Sequence, residues 1–194
     1  AVRRRLAEPS GTVRMTVSVA LLHFDLTQKL PILISRHPKL HVSVHATDTF
    51  IDIGKDGFDI AVRSHFGPLP DSSLVQKRLR AEPLILVASP AYLEKHGIPK
   101  APSDLIDHHG LMGGGTCTSW HLRDRANQTV SVNPNTRVTV DAILALVSAA
   151  AAGLGVTILP ASYCRHELET GRLVHFMPDW SAGSLTTTVL MPQR

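Results

Sequence analysis

The chain has 194 residues, of which 43% are hydrophobic and 19% are charged, a composition that excludes a disordered chain and allows a sizeable core. Its formal net charge of +4 is too small to indicate a general nucleic-acid-binding surface. Two cysteines, Cys117 and Cys164, are too few for a disulfide framework, so we expect reduced thiols in a cytoplasmic protein.

The first elements are predicted from the spacing of hydrophobic residues. A strand is expected over 14–22 and an amphipathic helix over 24–36. Pro31 cannot donate a backbone hydrogen bond inside a helix, so it predicts a late helix start or a kink. The alternating run from His41 to His45 predicts the second strand, with its valines on one face.

The stretch after the second strand is predicted to be helical. Asp48 is expected to cap a short helix that runs through Lys55 and ends at Gly57. A short apolar strand over 58–63 follows. The first 63 residues therefore have the order β-α-β-α-β, which is typical of a parallel sheet with crossover helices.

The second half of the chain repeats the alternation of strands and helices. We expect strands over 74–79, 84–88, 110–112, 129–132, 137–140, 156–159, 173–176 and 186–190. We expect helices after Ser89, over 142–152 with Asp141 as the cap, and over 161–170. The apolar run 142–159 is interpreted as a buried helix and strand, not as a membrane span. A sheet that begins midway, followed by a late returning strand, indicates two lobes with a ligand cleft at their strand ends.

Motifs for catalysis and metal binding are missing from the sequence. It contains no G-x-S-x-G elbow, P-loop or G-x-G-x-x-G fingerprint, so we expect neither an enzyme nor a cofactor. A small hydrolase or transferase that uses Cys117 and His121 as nucleophile and base is one alternative. The 11 histidines predict no metal site, because even His41 and His45 would lie about 13 Å apart on a strand.

Polar residues at the predicted strand ends are candidates for binding a small anion. Ser18 precedes a helix, where its hydroxyl and free N–H groups either suit a carboxylate or phosphate or simply cap the helix. Thr47 and Thr139 extend this argument to two other strand ends. Arg63 either pairs with an anion in bidentate geometry or holds a neighbouring loop. The run Gly113-Gly114-Gly115-Thr116 is either an anion-binding nest or a flexible turn.

Several short motifs occur in a characteristic order along the chain. They are Gly11-Thr12-Val13-Arg14, Arg36-His37-Pro38, Asp56 to Arg63, Leu69 to Leu74, Ala88 to Leu93, Gly97-Ile98-Pro99, Asp104-Leu105, Trp120, Ala151 to Val156, Leu159-Pro160, and Gly171 to Val174. Each motif is short, but their order and spacing together are specific. From about Gly11 to Arg194 the chain resembles the effector-binding domain of LysR-type transcriptional regulators.

The resemblance implies an α/β fold of two Rossmann-like lobes joined by two crossing strands, similar to type 2 periplasmic binding proteins. Lobe I would contain residues 11–82 and 184–194, and lobe II residues 83–183, with hinges near 82–84 and 183–185. Residues 1–10 resemble the end of a linker helix. The resemblance therefore implies that DNA is bound only through an N-terminal helix-turn-helix that is absent from this chain, and it implies no membrane association.

The resemblance also implies a function. A small-molecule effector, expected to be an organic anion, would bind between the lobes and change subunit packing in a homodimer, or in a tetramer of the full-length protein. The implied ligand-binding positions are Ser18, Val19, Ala20, Leu21, Thr47, Arg63, Ser64, Gly113, Gly114, Thr116 and Thr139. A periplasmic solute-binding protein with the same architecture is the alternative.

Overall fold

A computed structural model describes residues 8–49, 51–70, 73–114 and 119–193. The strands are β1 (Gly11–Val17), β2 (Leu40–Ala46), β3 (Ile60–His65), β4 (Val75–Ala88), β5 (His109–Gly113), β6 (Trp120–Asp124), β7 (Thr129–Val132), β8 (Asn135–Val140), β9 (Thr157–Pro160), β10 (Val174–His175), β11 (Trp180–Ser181) and β12 (Ser184–Met191). The α-helices are α1 (Val19–Leu21), α2 (Thr27–Arg36), α3 (Pro90–His96), α4 (Ile143–Ala151) and α5 (Arg165–Glu169). A π-helical turn (Leu22–Leu26) joins α1 to α2, and 3-10 turns cover Pro102–Asp107 and Ala161–Cys164.

The chain forms two compact units. The first contains the described residues up to Arg80 and those from Thr186 onward, and the second contains Ala81–Leu185. Two strands, β4 and β12, contribute residues to both units, so the chain passes from one unit to the other twice. Within these described ranges, no helix combines the length and the apolar character that a membrane crossing needs.

The first unit is built on a mixed sheet with the strand order β12-β3-β1-β2. The central strand β1 is parallel to both β2 and β3, and its last residue, Val17, is the register partner of Ala46 and of Val62. The strand β12 runs antiparallel to β3 and lies between β3 and β4 in the strand order. Met15, Val17, Leu21 and Val62 form a buried cluster, so the helix that follows β1 packs on this sheet. The predicted parallel arrangement of the first three strands is confirmed.

The helix after β1 begins earlier than the sequence predicts. Ser18 has extended backbone angles (φ −67°, ψ 148°) and ends the strand, and helical structure starts at Val19. The predicted strand over 14–22 is therefore wrong beyond Val17. Ala20 and Leu21, two of the apolar residues that suggested a longer strand, are buried and belong to the helix.

Pro31 lies inside α2, so the late helix start, one of the two predicted alternatives, is wrong, and the kink stays a prediction. The change in helical geometry occurs one turn earlier, where the N–H of Thr27 donates to the carbonyl of Leu22 in a π-helical bond. Proline removes one donor from the α-helical ladder, and the helix continues to Arg36 without it.

The helix predicted from Asp48 to Lys55 is absent from the described residues of that stretch, where residues 53–57 form turns. Asp52 holds the first of these turns, because its Oδ1 accepts the N–H groups of Gly54 and Lys55, each at 3.2 Å. An aspartate followed by a glycine is a signal for a turn as much as for a helix. In this segment the turn forms, and the carboxylate of Asp48 accepts a hydrogen bond from Val19 instead.

The second unit contains three small groups of paired strands. The part of β4 in this unit pairs antiparallel with β9 and β10, β5 pairs in parallel with β8, and β6 lies between β7 and β11. The buried side chains of these strands and of α3 form the main core cluster: Leu86, Ala88, Tyr92, Leu93, Leu105, Met112, Trp120, Leu122, Val132, Val156, Phe176 and Met177.

Three details of the second half differ from the predictions. The two strands expected over 74–79 and 84–88 are one long strand, exposed in its first part and buried from Leu84 onward. The helix α4 begins at Ile143 with Ala142 as its N-cap, so Asp141 is not the cap. The strands β6 and β11 were not predicted, because the apolar alternation of β6 is limited to Trp120 and Leu122 and β11 has only two residues.

Candidate functional site

Three of the predicted site residues lie at one edge of the first unit's sheet. Ser18 and Thr47 directly follow β1 and β2, and Arg63 is the β3 residue that follows Val62, the register partner of Val17. The N–H of Thr47 donates to the carbonyl of Val17 at 2.9 Å, and Nη1 of Arg63 donates to the carbonyl of Thr47 at 3.3 Å. The carboxyl ends of parallel strands thus bring together residues that are 16 to 45 positions apart.

Ser18 is the N-cap of the helix, but its hydroxyl makes no capping hydrogen bond. Its Oγ is buried and has no hydrogen-bond partner among the described residues. The interpretation of Ser18 as a simple helix cap therefore does not hold for its side chain. Buried hydroxyls are almost always paired, because an unpaired one costs about 1–3 kcal/mol.

Arg63 is half-buried, and its guanidinium donates hydrogen bonds to residues at the ends of β1 and β2. Its Nη2 donates to Oγ1 of Thr16 at 2.8 Å, in addition to the bond from Nη1 to the carbonyl of Thr47. These bonds use two of the five N–H donors of the guanidinium. Burial lowers the pKa of Arg63, and the negative charge of Asp48 opposes this shift. Arginine remains protonated despite the shift, so a positive charge is held at this edge of the sheet.

Asp48 is a further charged residue at this edge, although we predicted it to cap a different helix. Its Oδ1 accepts the N–H of Val19 at 3.1 Å, at the start of the helix that follows β1. The β1–β2 register places position 48 beside position 19, because Val17 pairs with Ala46. An aspartate two residues after a strand is the only sequence signal for this contact, and it does not reveal which helix the carboxylate reaches.

Other residues predicted for this part of the site have different surroundings. The side chains of Ala20 and Leu21 are buried, and Leu21 belongs to the core cluster. Ser64 Oγ lies 3.3 Å from Oγ1 of Thr187 on β12. Because neighbouring strand residues point to opposite faces, Ser64 and Arg63 do not share a face of β3.

Of the remaining predicted residues, Gly113, Gly114 and Thr139 lie at or beside the ends of β5 and β8 in the second unit. Met112 pairs with Thr139 and Gly113 pairs with Val140 in the parallel β5–β8 ladder. Gly113 and the exposed Thr139 therefore lie at the same end of this strand pair. A Cβ on Gly114 would lie 2.6 Å from Cβ of Asp141, so close packing requires glycine there. Thr116 lies outside the described residues.

The alternative site at Cys117 and His121 has little support. Cys117 lies outside the described residues, and Nδ1 of His121 is 2.8 Å from Oγ of Ser131, on the neighbouring strand. Within the ranges that the structure describes, no group of three or more His, Cys, Asp or Glu residues could hold a metal ion.

A ring cluster around Tyr92 in the second unit was not predicted. The Tyr92 ring stacks on His96 with centroids 4.5 Å apart, and the rings of His108 and His109 lie at 5.8 and 6.0 Å. The Tyr92 hydroxyl accepts the N–H of His109 at 2.9 Å. Burial lowers the pKa of His108 and of His109, and the positive charge of Arg137 lowers that of His109 further.

Comparison with known proteins identifies relatives along nearly the whole chain. The family model described as "LysR substrate binding domain" matches residues 6–194. An uncharacterized HTH-type transcriptional regulator of Haemophilus influenzae is 34% identical over 171 residues, which cover 87% of this chain and 58% of that protein. The chain thus spans less than two thirds of the length of the curated relatives that it matches.

Solved structures have the same fold. The full-length virulence activator AphB of Vibrio cholerae, a member of the LTTR protein family, is 28% identical with a TM-score of 0.82, and the match covers 95% of this chain and 62% of that one. The regulatory domain of AphB in Vibrio vulnificus is 27% identical with a TM-score of 0.78, covering 95% and 90%. These matches favour a regulator domain over a periplasmic solute-binding protein. The chain belongs to the LysR substrate-binding domain family and is the effector-binding domain of a LysR-type regulator.

Proposed function

We propose that the first unit binds the carboxylate of a small organic acid through Ser18, Thr47 and Arg63, and that this binding is the sensing step of a transcriptional regulator. One observation carries the proposal: the Ser18 hydroxyl is buried without a partner among the described residues, at the strand edge where Arg63 holds a positive charge. A ligand oxygen that pairs with the hydroxyl would remove the cost of the unpaired group.

The chemistry of this edge suits a carboxylate. Ser18 and Thr47 supply hydroxyls, and the guanidinium of Arg63 has the planar geometry that pairs with a carboxylate. The strand ends fix all three positions, because the ladder that joins β1, β2 and β3 is continuous up to this edge. Ala20 and Leu21 would contribute backbone groups at the helix start, and Val19 would do so where the ligand displaces Asp48 from its N–H. Ser64, on the other face of β3 from Arg63, would contact the ligand through its backbone.

We also propose that Gly113, Gly114, Thr116 and Thr139 contact the ligand from the second unit. Support comes from the position of Gly113 and Thr139 at the same end of the β5–β8 pair. The helix α4 begins shortly after this end of β8. A loop with little side-chain bulk allows backbone N–H groups to approach a ligand closely. The position of the ligand between the lobes stays a prediction.

In the whole protein, we propose that effector binding changes the packing of a cytoplasmic homodimer or tetramer, and that an N-terminal helix-turn-helix binds DNA. The role would be regulatory and not enzymatic, because the curated relatives are named as transcriptional regulators. The helix α2 supports self-association: none of its side chains is buried, and Ile32, Leu33 and Ile34 are exposed. An apolar helix surface of this kind is typical of a subunit interface.

The binding proposal can be tested by thermal shift with a panel of small mono- and dicarboxylates. We expect at least one acid to raise the Tm of the wild type, and Ser18→Ala and Arg63→Gln to reduce that shift. Arg63→Gln retains an amide donor for the carbonyl of Thr47, so the strand edge keeps a hydrogen bond there. Ser43→Ala, an exposed change on β2, serves as the matched control. Normal binding by both site variants would contradict the assignment of this edge.

A further inference from the structure

Asp48 places a negative charge on the same edge that holds the positive charge of Arg63. Its Oδ1 accepts the N–H of Val19 at 3.1 Å, so the chain's own carboxylate occupies a donor at the helix start. The side chain is exposed to solvent. Asp48 follows Thr47, whose carbonyl accepts a hydrogen bond from the Arg63 guanidinium. The negative charge of Asp48 therefore favours the protonated form of Arg63.

This arrangement changes which acids suit the edge. A ligand with only a carboxylate would be attracted by Arg63 but repelled by Asp48, and it would compete with Asp48 for the Val19 N–H. A ligand that carries both a carboxylate and an ammonium group complements both charges. The ammonium can donate to the second oxygen of Asp48 while Oδ1 keeps its bond to the backbone.

We propose that Asp48 is a specificity-determining residue that selects zwitterionic acids, such as α-amino acids, over acids that have no amino group. The inference rests on the proposed function of Ser18 and Arg63 as the carboxylate site. It adds a second recognised group and names the residue that recognises it. A purely structural role for Asp48, as a helix cap, would require only a hydrogen-bond acceptor and no charge.

Asp48→Asn separates these two roles. Asparagine has nearly the same shape, and its amide oxygen can still accept the N–H of Val19, so the helix start is kept. The charge that pairs with an ammonium is removed. Asp52→Asn is the matched control, because Asp52 is an exposed carboxylate of the same unit that also accepts backbone N–H groups.

The probes are the common α-amino acids and the 2-hydroxy acids that have the same side chains. Thermal shift would find binding pairs, and calorimetry would measure Kd for each member of a pair. In the wild type and in Asp52→Asn we expect the amino acid to bind more tightly than its hydroxy acid. A charge-assisted hydrogen bond corresponds to about tenfold to hundredfold in Kd, and Asp48→Asn should lose that preference.

The outcomes distinguish the two proposals. Hydroxy acids that bind the wild type as tightly as amino acids, with an affinity that depends on Arg63, would overturn the role of Asp48 and leave the carboxylate site standing. An amino-acid preference that survives in Asp48→Asn would also overturn it. If no member of either series binds while other carboxylates bind in an Arg63-dependent manner, the zwitterion class is wrong. If no acid binds at all, the proposed function fails and this inference fails with it.

Discussion

Replacing Ser18 with alanine should stabilise the protein in the absence of ligand. The hydroxyl of Ser18 is buried without a hydrogen-bond partner among the described residues, and its side chain makes no capping bond to the helix. Alanine removes the unpaired polar atom and keeps the Cβ. The substitution therefore removes a desolvation penalty without breaking a contact that the described residues provide.

The magnitude follows from the cost of an unpaired buried hydroxyl, about 1–3 kcal/mol. The loss of the oxygen leaves a small void, which offsets part of the gain. We expect the free energy of unfolding to rise by about 1 kcal/mol, which corresponds to about 2–4 °C in Tm for a chain of this length. Effector-induced stabilisation should fall at the same time, because the hydroxyl is proposed to bind the ligand.

Thermal and urea unfolding of Ser18→Ala, measured beside two other serine variants, provides the assay. Ser43→Ala is exposed on β2 and should change stability by less than about 0.5 kcal/mol. Ser162→Ala should destabilise, because the Ser162 hydroxyl and N–H both bond to the carboxylate of Glu82, at 2.9 and 3.0 Å. If Ser18→Ala lowered stability by more than about 1 kcal/mol, the hydroxyl would have a partner in the free protein and the reasoning would be refuted.

Three other predictions follow from the second unit. Gly155→Ala should lower the free energy of unfolding by more than about 3 kcal/mol in urea titrations, because a Cβ would lie 2.3 Å from the carbonyl oxygen of His109, whereas Gly171→Ala meets no atom within 4 Å and should cost less. His108 and His109 have lowered pKa values in the folded state, so the unfolded chain binds protons more readily; stability should be full above about pH 6.5 and fall as the pH drops below it, and a flat profile from pH 7 to pH 5 would contradict this. Burial raises the pKa of Cys164 to about 12, so in a Cys117→Ser background its alkylation at pH 8 should be slow until the protein unfolds, and fast labelling of the native protein would count against that burial.

The candidate residues at the strand ends of the first unit could be predicted, because an apolar strand and the polar residue that follows it are both recognisable in the sequence. Ser18, Thr47 and Arg63 each follow or close a short apolar run, and parallel strands present their carboxyl ends at one edge. The family match confirms the fold and the effector-binding role that the motifs implied. The assignment of individual residues to the ligand stays a prediction, as do the hinge positions between the lobes.

The failures of prediction concern segments in which one local signal allows two structures. The stretch after Asp48 has a possible helix cap and a closing glycine, yet Asp52 holds a turn there instead. The long strand β4 was predicted as two strands, and it passes from exposed to buried residues at Pro83 and Leu84, between the two predicted ranges. In both segments, contacts with the rest of the fold decide the structure, and a short window of sequence does not contain them.

The contact between Asp48 and Val19 could not be predicted together with the candidate site residues. Position 48 lies beside position 19 only because the β1–β2 ladder pairs Val17 with Ala46, and a shift of one residue in that register would turn the carboxylate away. The charge balance of the edge therefore depends on a register and on one exposed side chain. Since Asp48 is exposed, we expect substitution there to change the charge at this site while the fold is kept. The proposed role of Asp48 thus rests on an exposed position, whereas the pairing of the strand ends places Ser18, Thr47 and Arg63, the residues proposed to bind the carboxylate.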